Sequence, residues 1–189
     1  MTSRTLDSHA RDTLQAAMER IIPTDDAPGA REAGTIEWLD RYLSGIDFIH
    51  AKPDGSGFLT LAGKEAQAWS ARIEALRERY ADGVADLDRL SRERFGSDFR
   101  ALEGEDRDVV LAELERGGSL ARKRTQAAVG EDDLPFFALL VLHTRQAFYS
   151  DPVYGGNRDH VGWKLVGFHG PESMADALHD RYTTDAFLA

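Results

Sequence analysis

The feature that most constrains the fold is a run of regularly spaced apolar residues between Leu61 and Tyr80. Successive apolar positions alternate steps of four and three residues, which is the period of one face of an α-helix. One helix cannot cover its own apolar face, so a stripe of this length must pack against other helices. The run therefore predicts a core helix whose buried face consists of Ala62, Ala66, Trp69, Ile73, Leu76 and Tyr80.

Shorter patterns of the same kind predict further helices on both sides of this one. The first runs from Ser8 to Ile22 and ends at Pro23, because proline cannot continue a helix. Period-two alternation, which is typical of strands, is confined to isolated apolar pairs. The sequence therefore predicts an all-α fold, a single irregular helical bundle, whose other helices are marked by Ile36, Leu39 and Leu43, by Val84, Leu87 and Leu90, by Val110, Leu111 and Leu114, and by Phe136, Leu140, Thr144 and Phe148.

Glycine, proline and aspartate mark the predicted boundaries of these helices. An interruption is expected at Gly117-Gly118-Ser119, and Asp132 or Asp133 is expected to cap the last long helix, whose first turn tolerates Pro135. The segment from Pro23 to Gly29 is rich in turn-forming residues and is predicted to be an ordered loop.

Composition limits the classes of protein to which the chain belongs. Its 189 residues, 42% of them hydrophobic and 30% charged, suit one soluble domain. A net charge of −10 disfavours a nucleic-acid partner, because phosphate backbones are bound mainly by Lys and Arg. The absence of cysteine excludes disulfides, thiolate zinc sites and cysteine-ligated iron–sulfur clusters. No apolar stretch approaches the roughly 20 residues of a membrane-spanning helix, so no membrane insertion is predicted.

The chain changes character after the helical core, which is predicted to span about residues 8–150. Residues 151–171 combine glycines with aromatic and charged side chains, and no regular element fits them. A long loop of this kind is usually functional, and aromatic and Arg side chains are favoured at protein interfaces. We interpret 151–171 as an ordered, irregular segment that docks a partner rather than one that only seals the core. Residues 172–189 are interpreted as a polar tail of the same domain.

Other chemistry that these residues suggest is outweighed by structural interpretations. Asp25 and Asp26 are adjacent, and neighbours in sequence rarely face one substrate atom, so they are interpreted as turn or helix caps. Gly155-Gly156-Asn157 lacks the strand and the lysine of a phosphate-binding loop, so a sharp turn is predicted. His143 lies midway along an apolar helix and is interpreted as a core or interface histidine with satisfied hydrogen bonds. We predict no catalytic, cofactor-binding or metal-binding residues.

Two long motifs of unusual composition resemble one known family. The first is Arg20-Ile21-Ile22-Pro23-Thr24-Asp25-Asp26 with Pro28-Gly29-Ala30-Arg31-Glu32-Ala33-Gly34. The second is Phe148-Tyr149-Ser150-Asp151-Pro152-Val153-Tyr154-Gly155-Gly156-Asn157-Arg158-Asp159, followed by Gly162-Trp163-Lys164 and Gly167-Phe168. Together they resemble the gluconate 2-dehydrogenase subunit 3 family over most of the chain, from about Thr13 to Pro171.

The resemblance implies an accessory subunit that is not an enzyme by itself. In that family the chain would bind, stabilise and help to assemble a large subunit of the glucose-methanol-choline type, which holds FAD and oxidises a sugar, a sugar acid or a glycoside. In many such systems a multihaem cytochrome c accepts the electrons. The interface residues predicted here are Asp151, Pro152, Tyr154, Gly155, Gly156, Asn157, Arg158, Trp163 and Phe168.

Two other functions and the location stay open on the sequence alone. A free-standing helical module would bind a small molecule without a large subunit. A small hydrolase would use His143 or His160 with a nearby carboxylate, although no Gly-x-Ser-x-Gly motif is present. The first residues show no export signal, which predicts a cytoplasmic protein; a periplasmic location is expected if the chain is exported with a partner or if a signal was omitted.

Overall fold

A computed structural model describes residues 5–53, 56–122, 131–168 and 170, without the side chains of 118–122 and 132. Within these ranges no β-strand forms, and an isolated antiparallel bridge joins Ala51 and Phe58. The all-α prediction is therefore confirmed. The helices of the described part are α1 (Ser8–Ile21), α2 (Thr35–Ser44), α3 (Gly63–Phe95), α4 (Gly104–Arg122), α5 (Phe136–Tyr149) and α6 (Val161–Leu165).

One hydrophobic core joins the first five helices. Its members come from the apolar faces that the helical spacing predicts, and each fully buried aliphatic or aromatic side chain contributes about 1.5–3 kcal/mol to folding. Helices α1 to α5 share this core, whereas the assignment of all 189 residues to one domain stays a prediction. The largest side chains that are completely buried are Tyr80, Phe99, Phe148, Leu14, Met18, Leu39, Leu43, Ile73, Leu76, Leu87, Leu139 and Leu140.

The loop between α1 and α2 is ordered by side-chain hydrogen bonds, as its composition predicts. The Glu32 carboxylate accepts hydrogen bonds from the Thr24 hydroxyl (2.7 Å) and the Gly29 amide (2.9 Å). Asp25 accepts from the Ala27 amide (3.0 Å) and so closes a turn on its own backbone. Asp26 is exposed. The paired aspartates therefore belong to a turn, which confirms their structural interpretation.

Helix α3 is longer than its sequence pattern predicts. We expected a helix ending near Tyr80 and a separate one around Val84 to Leu90, but one helix of 33 residues runs through both. Gly83 lies at the junction, and a Cβ there would lie 2.2 Å from the Phe136 ring. A single glycine weakens a helix by only about 1 kcal/mol, and the close packing of α5 against this point offsets the loss.

The first turns of α3 also contribute less to the core than predicted. Ala62 is exposed, and Ala66 and Trp69 are only partly buried, whereas Ile73, Leu76 and Tyr80 are fully buried. A helix of 33 residues is about 50 Å long, which exceeds the width of a small bundle, so its first turns extend past the core. The helical period was predicted correctly and the extent of its buried stripe was not.

Two predicted boundaries are wrong. Helix α4 continues through Gly117-Gly118-Ser119 instead of breaking there. The predicted Asp132 or Asp133 cap of α5 is not formed: Glu131–Asp133 is a separate 3-10 turn, and α5 begins at Phe136 with Pro135 as its N-cap and no side-chain capping bond. The fixed φ angle of Pro135 orients the chain at the start of α5 in place of that bond.

The segment after α5 has more regular structure than we predicted. It forms two 3-10 turns, Pro152–Tyr154 and Arg158–His160, and the short helix α6. The expectation that no regular element fits this segment is therefore wrong. The predicted polar tail 172–189 lies outside the described residues. None of the helices in the described part is long and apolar enough to span a membrane.

Candidate functional site

A buried asparagine holds the C-terminal segment in its shape. Asn157 is completely buried, and its side-chain amide donates a hydrogen bond to the Ser150 carbonyl oxygen (2.9 Å). Its side-chain oxygen accepts one from the Gly162 amide (2.8 Å). Its φ of 46° lies in the left-handed region, which asparagine tolerates better than most residues. One side chain thus joins the start of the segment to α6.

Two glycines allow this segment to lie directly on α5. A Cβ on Gly156 would lie 2.1 Å from the Ala147 carbonyl oxygen, and one on Gly162 would lie 2.1 Å from the Phe148 carbonyl oxygen. Only glycine permits contacts this close to backbone. Gly155 makes the predicted sharp turn with a φ of 99°. These glycines serve backbone packing, which agrees with our interpretation of Gly155-Gly156-Asn157 as a turn.

The same segment is joined to α2 and to the chain that follows it. Arg41 donates a hydrogen bond to the Val153 carbonyl oxygen (3.0 Å), and the Arg158 amide donates to the Ala33 carbonyl oxygen (3.0 Å). The Tyr154 hydroxyl accepts one from the Ala51 amide (3.1 Å). Asp151 caps the first 3-10 turn, in which Pro152 is the first residue. The segment is therefore anchored on two sides of the bundle.

The predicted interface residues divide between the inside and the outside of the molecule. Gly156 and Asn157 are buried, whereas the Arg158 side chain is exposed. The indole N–H of Trp163 donates to the Tyr149 carbonyl oxygen (2.8 Å), and the centroid of the Phe168 ring lies 5.1 Å from that of Trp163. The segment thus seals part of this chain's own core and also presents aromatic residues at the surface.

An exposed apolar patch lies at the outer side of this segment. We define it as Leu165, Val166 and Phe168, which lie within four consecutive residues and have exposed fractions of 53%, 60% and 37%. Leu165 and Val166 were not among the residues predicted from sequence. The available signal was an aliphatic pair within a segment otherwise rich in glycine and charge. The exposure of these two side chains depends on how α6 packs on the bundle, which the sequence alone does not show.

A second surface feature, which we call the aromatic cleft, opens between α2, α3 and the end of α5. Its volume is about 600 Å³. Six aromatic residues, two arginines and one glutamate dominate its lining, so it combines apolar walls with a few charges, as ligand pockets do. The lining residues are Trp38, Arg41, Tyr42, Phe48, Trp69, Arg72, Glu131, Gln146, Tyr149, Ser150 and Tyr154.

A chain of hydrogen bonds lies behind the wall of this cleft. The Glu131 carboxylate accepts from His143 Nε2 (3.0 Å) and pairs with Arg72. A carboxylate can only accept, so Nε2 carries a proton, and Nδ1 lies 2.7 Å from the Tyr80 hydroxyl oxygen, within hydrogen-bond distance. His143 is completely buried with both nitrogens engaged. Its interpretation as a satisfied core histidine is confirmed.

Burial and charge shift the pKa of two members of this chain. Burial opposes ionisation of Glu131, but the hydrogen bond and charge of His143 and the charge of Arg72 outweigh it, so the pKa of this carboxyl lies below its ordinary value. Burial raises the pKa of Tyr80 well above its ordinary value, and the charge of Glu131 raises it further. The hydroxyl therefore stays protonated while the carboxylate stays ionised.

Neither histidine of the hydrolase alternative has the surroundings of a catalytic base. His143 has no nitrogen left to receive a substrate proton. The His160 ring lies against the Trp163 ring, with centroids 5.0 Å apart, and forms no ion pair within the described part of the chain. A general base must reach the proton that it removes. The geometry therefore gives the hydrolase alternative no support.

A cluster of His9, Asp88 and Asp98 brings three potential ligand atoms within 4.8 Å of one another. His9 Nε2 lies 2.5 Å from Asp88 Oδ2, and the other oxygen of Asp88 accepts from the Phe99 amide (3.0 Å). Arg92 pairs with Asp98 at 2.6 Å and supplies the positive charge of this cluster. These contacts join α1, α3 and the turn at Phe99, which is a structural role.

Comparison with known families assigns the chain. The family model described as gluconate 2-dehydrogenase subunit 3 matches residues 8–170, which include the six helices of the described part and the C-terminal segment up to residue 170. The chain belongs to the gluconate 2-dehydrogenase subunit 3 family. The resemblance that rests on the two motifs is therefore confirmed. Neither the curated proteins nor the solved structures that were compared gave a match. The name of this family implies that the chain is one subunit of a dehydrogenase complex.

Proposed function

We propose that this chain is a non-catalytic small subunit that binds, stabilises and helps to assemble a large dehydrogenase subunit. The large subunit would be of the glucose-methanol-choline type, would hold FAD and would oxidise a sugar, a sugar acid or a glycoside. Support comes from the family, whose name denotes one subunit of a larger enzyme. In this proposal the flavin belongs to the partner, and a cytochrome c is the electron acceptor.

The apolar patch is the observation that carries the proposal. Leu165 and Val166 are more than half exposed, and the ring of Phe168, two residues further along the chain, is partly exposed. Exposed apolar side chains that are grouped rather than scattered are typical of protein interaction sites. Its removal from water would stabilise a complex by about 25 cal/mol for each Å² that is buried. The proposed occupant of this surface is a large dehydrogenase chain, because the family name denotes one subunit of a larger enzyme.

Anchoring of the segment favours tight association. Asn157 and the contacts of Gly156 and Gly162 with α5 fix the backbone behind the patch before any partner arrives. A surface that is already ordered loses little conformational entropy on binding, so more of the interaction energy becomes affinity. Binding only the folded partner also stabilises that partner by mass action, without chemistry.

Co-expression with a flavoprotein large subunit of the glucose-methanol-choline type from the same genome tests the proposal. A tag on this chain alone is used for purification, and the absorbance of oxidised flavin is measured in the eluate. The proposal predicts a yellow complex that contains both chains. Recovery of a colourless small chain without the large one would contradict it.

A matched pair of variants tests the position of the interface. Trp163→Ala removes the ring that contacts Phe168 of the patch. Arg89→Ala changes an exposed side chain on α3 that, among the described residues, forms ion pairs with Asp86 and Glu93. We expect Trp163→Ala to reduce the yield of complex and Arg89→Ala to leave it unchanged. Equal yields would remove the reason for placing the partner at this segment.

A further inference from the structure

The aromatic cleft has a cation that is held in place before any ligand binds. The Arg41 guanidinium donates to the Val153 carbonyl oxygen (3.0 Å) and lies over the Phe48 ring, 5.2 Å from its centroid. The Gly155 backbone lies against a third side of the guanidinium, since a Cβ on this glycine would lie 3.4 Å from Arg41 Cζ. A guanidinium has five N–H donors, so others remain for a ligand after this bond.

The balance of charge in the cleft favours an anion. Glu131 is the carboxylate of the lining, and it pairs with Arg72 and His143. Arg41 makes no ion pair among the residues that the structure describes. The lining therefore carries an uncompensated positive charge on a chain with a net charge of −10. The aromatic walls of the cleft have a low dielectric constant, so the electric field of this charge is stronger there than at an open surface.

The walls of the cleft favour a flat, apolar ligand. Trp38 and Tyr42 are stacked with centroids 5.0 Å apart, and Arg72 lies over the Trp69 ring. Trp69 is held at the rim because the first turns of α3 extend past the core. The volume of about 600 Å³ lies within the roughly 300–1,000 Å³ of small-molecule sites.

We propose that the aromatic cleft binds a small organic anion, a carboxylate on a planar apolar body, with Arg41 binding the carboxylate and the aromatic rings contacting the body. The site goes beyond the proposed assembly function, because it needs no large subunit. It is a site of recognition, since the described lining contains no histidine and its carboxylate, Glu131, is already paired with Arg72 and His143.

Phenylacetate and its uncharged analogue phenylacetamide are the probes. Trp38 and Trp69 are two of the three tryptophans in the chain, so tryptophan emission of the full chain reports on the cleft. We expect saturable quenching by phenylacetate with a Kd of about 1 mM or tighter. We expect phenylacetamide to bind about tenfold more weakly, because hydrogen bonds to a charged acceptor are roughly twice as strong.

Variants assign the two parts of the site. Arg41→Gln should abolish the preference for phenylacetate over phenylacetamide, and Arg41→Lys should keep it. Trp69→Ala should weaken both probes by a similar factor, and its partly buried side chain lies outside the core, so the fold is retained. Arg89→Gln, which is exposed and remote from the lining, should change neither affinity.

Three results would overturn the inference. The first is the absence of saturable quenching by either probe, the second is equal affinity for the two probes, and the third is unchanged binding in Trp69→Ala. None of them bears on assembly. A chain that purifies with its flavoprotein but fails these titrations would refute the cleft proposal alone, and the reverse outcome would refute the assembly proposal alone.

Discussion

Replacement of Asn157 by alanine should release the C-terminal segment from the bundle. The change removes both hydrogen bonds of the side chain, and it leaves the Ser150 carbonyl and the Gly162 amide without these partners. Asn157 is completely buried, so water reaches neither group while the segment stays closed. The φ of 46° also becomes unfavourable once alanine occupies the position.

The magnitude follows from these two effects. An unsatisfied buried backbone group costs about 1–3 kcal/mol, so two of them cost about 4 kcal/mol. Alanine in the left-handed region adds about 1 kcal/mol. We therefore expect Asn157→Ala to lower the free energy of opening of the segment by about 5 kcal/mol and Asn157→Gly to lower it by about 4 kcal/mol, since glycine removes only the backbone strain.

Amide hydrogen exchange measures this opening directly, because local unfolding exposes the amides of Gly162 and Arg158. A loss of about 4 kcal/mol corresponds to a roughly thousandfold fall in protection. Asp159→Ala is the matched control. Asp159 also has a positive φ, of 54°, but its side chain is exposed, so only the backbone effect of about 1 kcal/mol should appear.

Two outcomes would refute this reasoning. One is protection of the Gly162 amide in Asn157→Ala that matches the wild type. The other is an equal loss in Asn157→Ala and Asp159→Ala, which would mean that the buried hydrogen bonds contribute nothing to the closed segment.

Three further predictions concern stability and pH. Gly156→Ala should lower the free energy of unfolding by about 1–3 kcal/mol, because its Cβ would lie 2.1 Å from a carbonyl oxygen. Gly117→Ala should raise the free energy of unfolding by up to about 1 kcal/mol, because the space around Gly117 is open. Equal urea midpoints of the two variants would contradict this prediction. Tyr80→Phe should lower the free energy of unfolding by about 1–3 kcal/mol, since His143 Nδ1 loses its hydrogen-bond partner. Because the pKa of Tyr80 is raised, wild-type stability should fall above about pH 10, and this fall should shrink in Tyr80→Phe. The pKa of Glu131 is lowered, so its contribution to the free energy of unfolding is complete above the unfolded pKa of about 4.3 and is lost as the pH falls through the folded pKa. Glu131→Gln should therefore reduce the loss of stability at acidic pH. An unchanged loss in this variant would count against the network.

The helices were predictable because their period records which face is buried. Ile73, Leu76 and Tyr80 recur at helical spacing and are all buried. The length of α3 was not predictable in the same way, because Gly83 and the neighbouring polar residues resemble a break. It is the Phe136 ring of α5, distant in sequence, that makes a glycine suitable there.

The candidate sites depend on contacts between segments that are far apart in sequence. Glu131 follows no recognisable pattern, and its role appears only when α5 places His143 beside it. The aromatic cleft likewise gathers rings from separate helices, each of which also fits a helical face. The C-terminal segment was predictable from composition, because glycines, aromatics and charges in one stretch indicate backbone packing next to a surface. Which of its residues face outward was not.

The most direct test of the central claim is the substitution Val166→Glu at the most exposed position of the apolar patch. In the free chain the new carboxylate is solvated, so the urea midpoint should shift by no more than the equivalent of about 0.5 kcal/mol. At a buried interface the same charge is unpaired, and co-purification of the flavoprotein should be lost. A stable variant that retains the full yield of yellow complex would contradict the claim that this surface binds the large subunit.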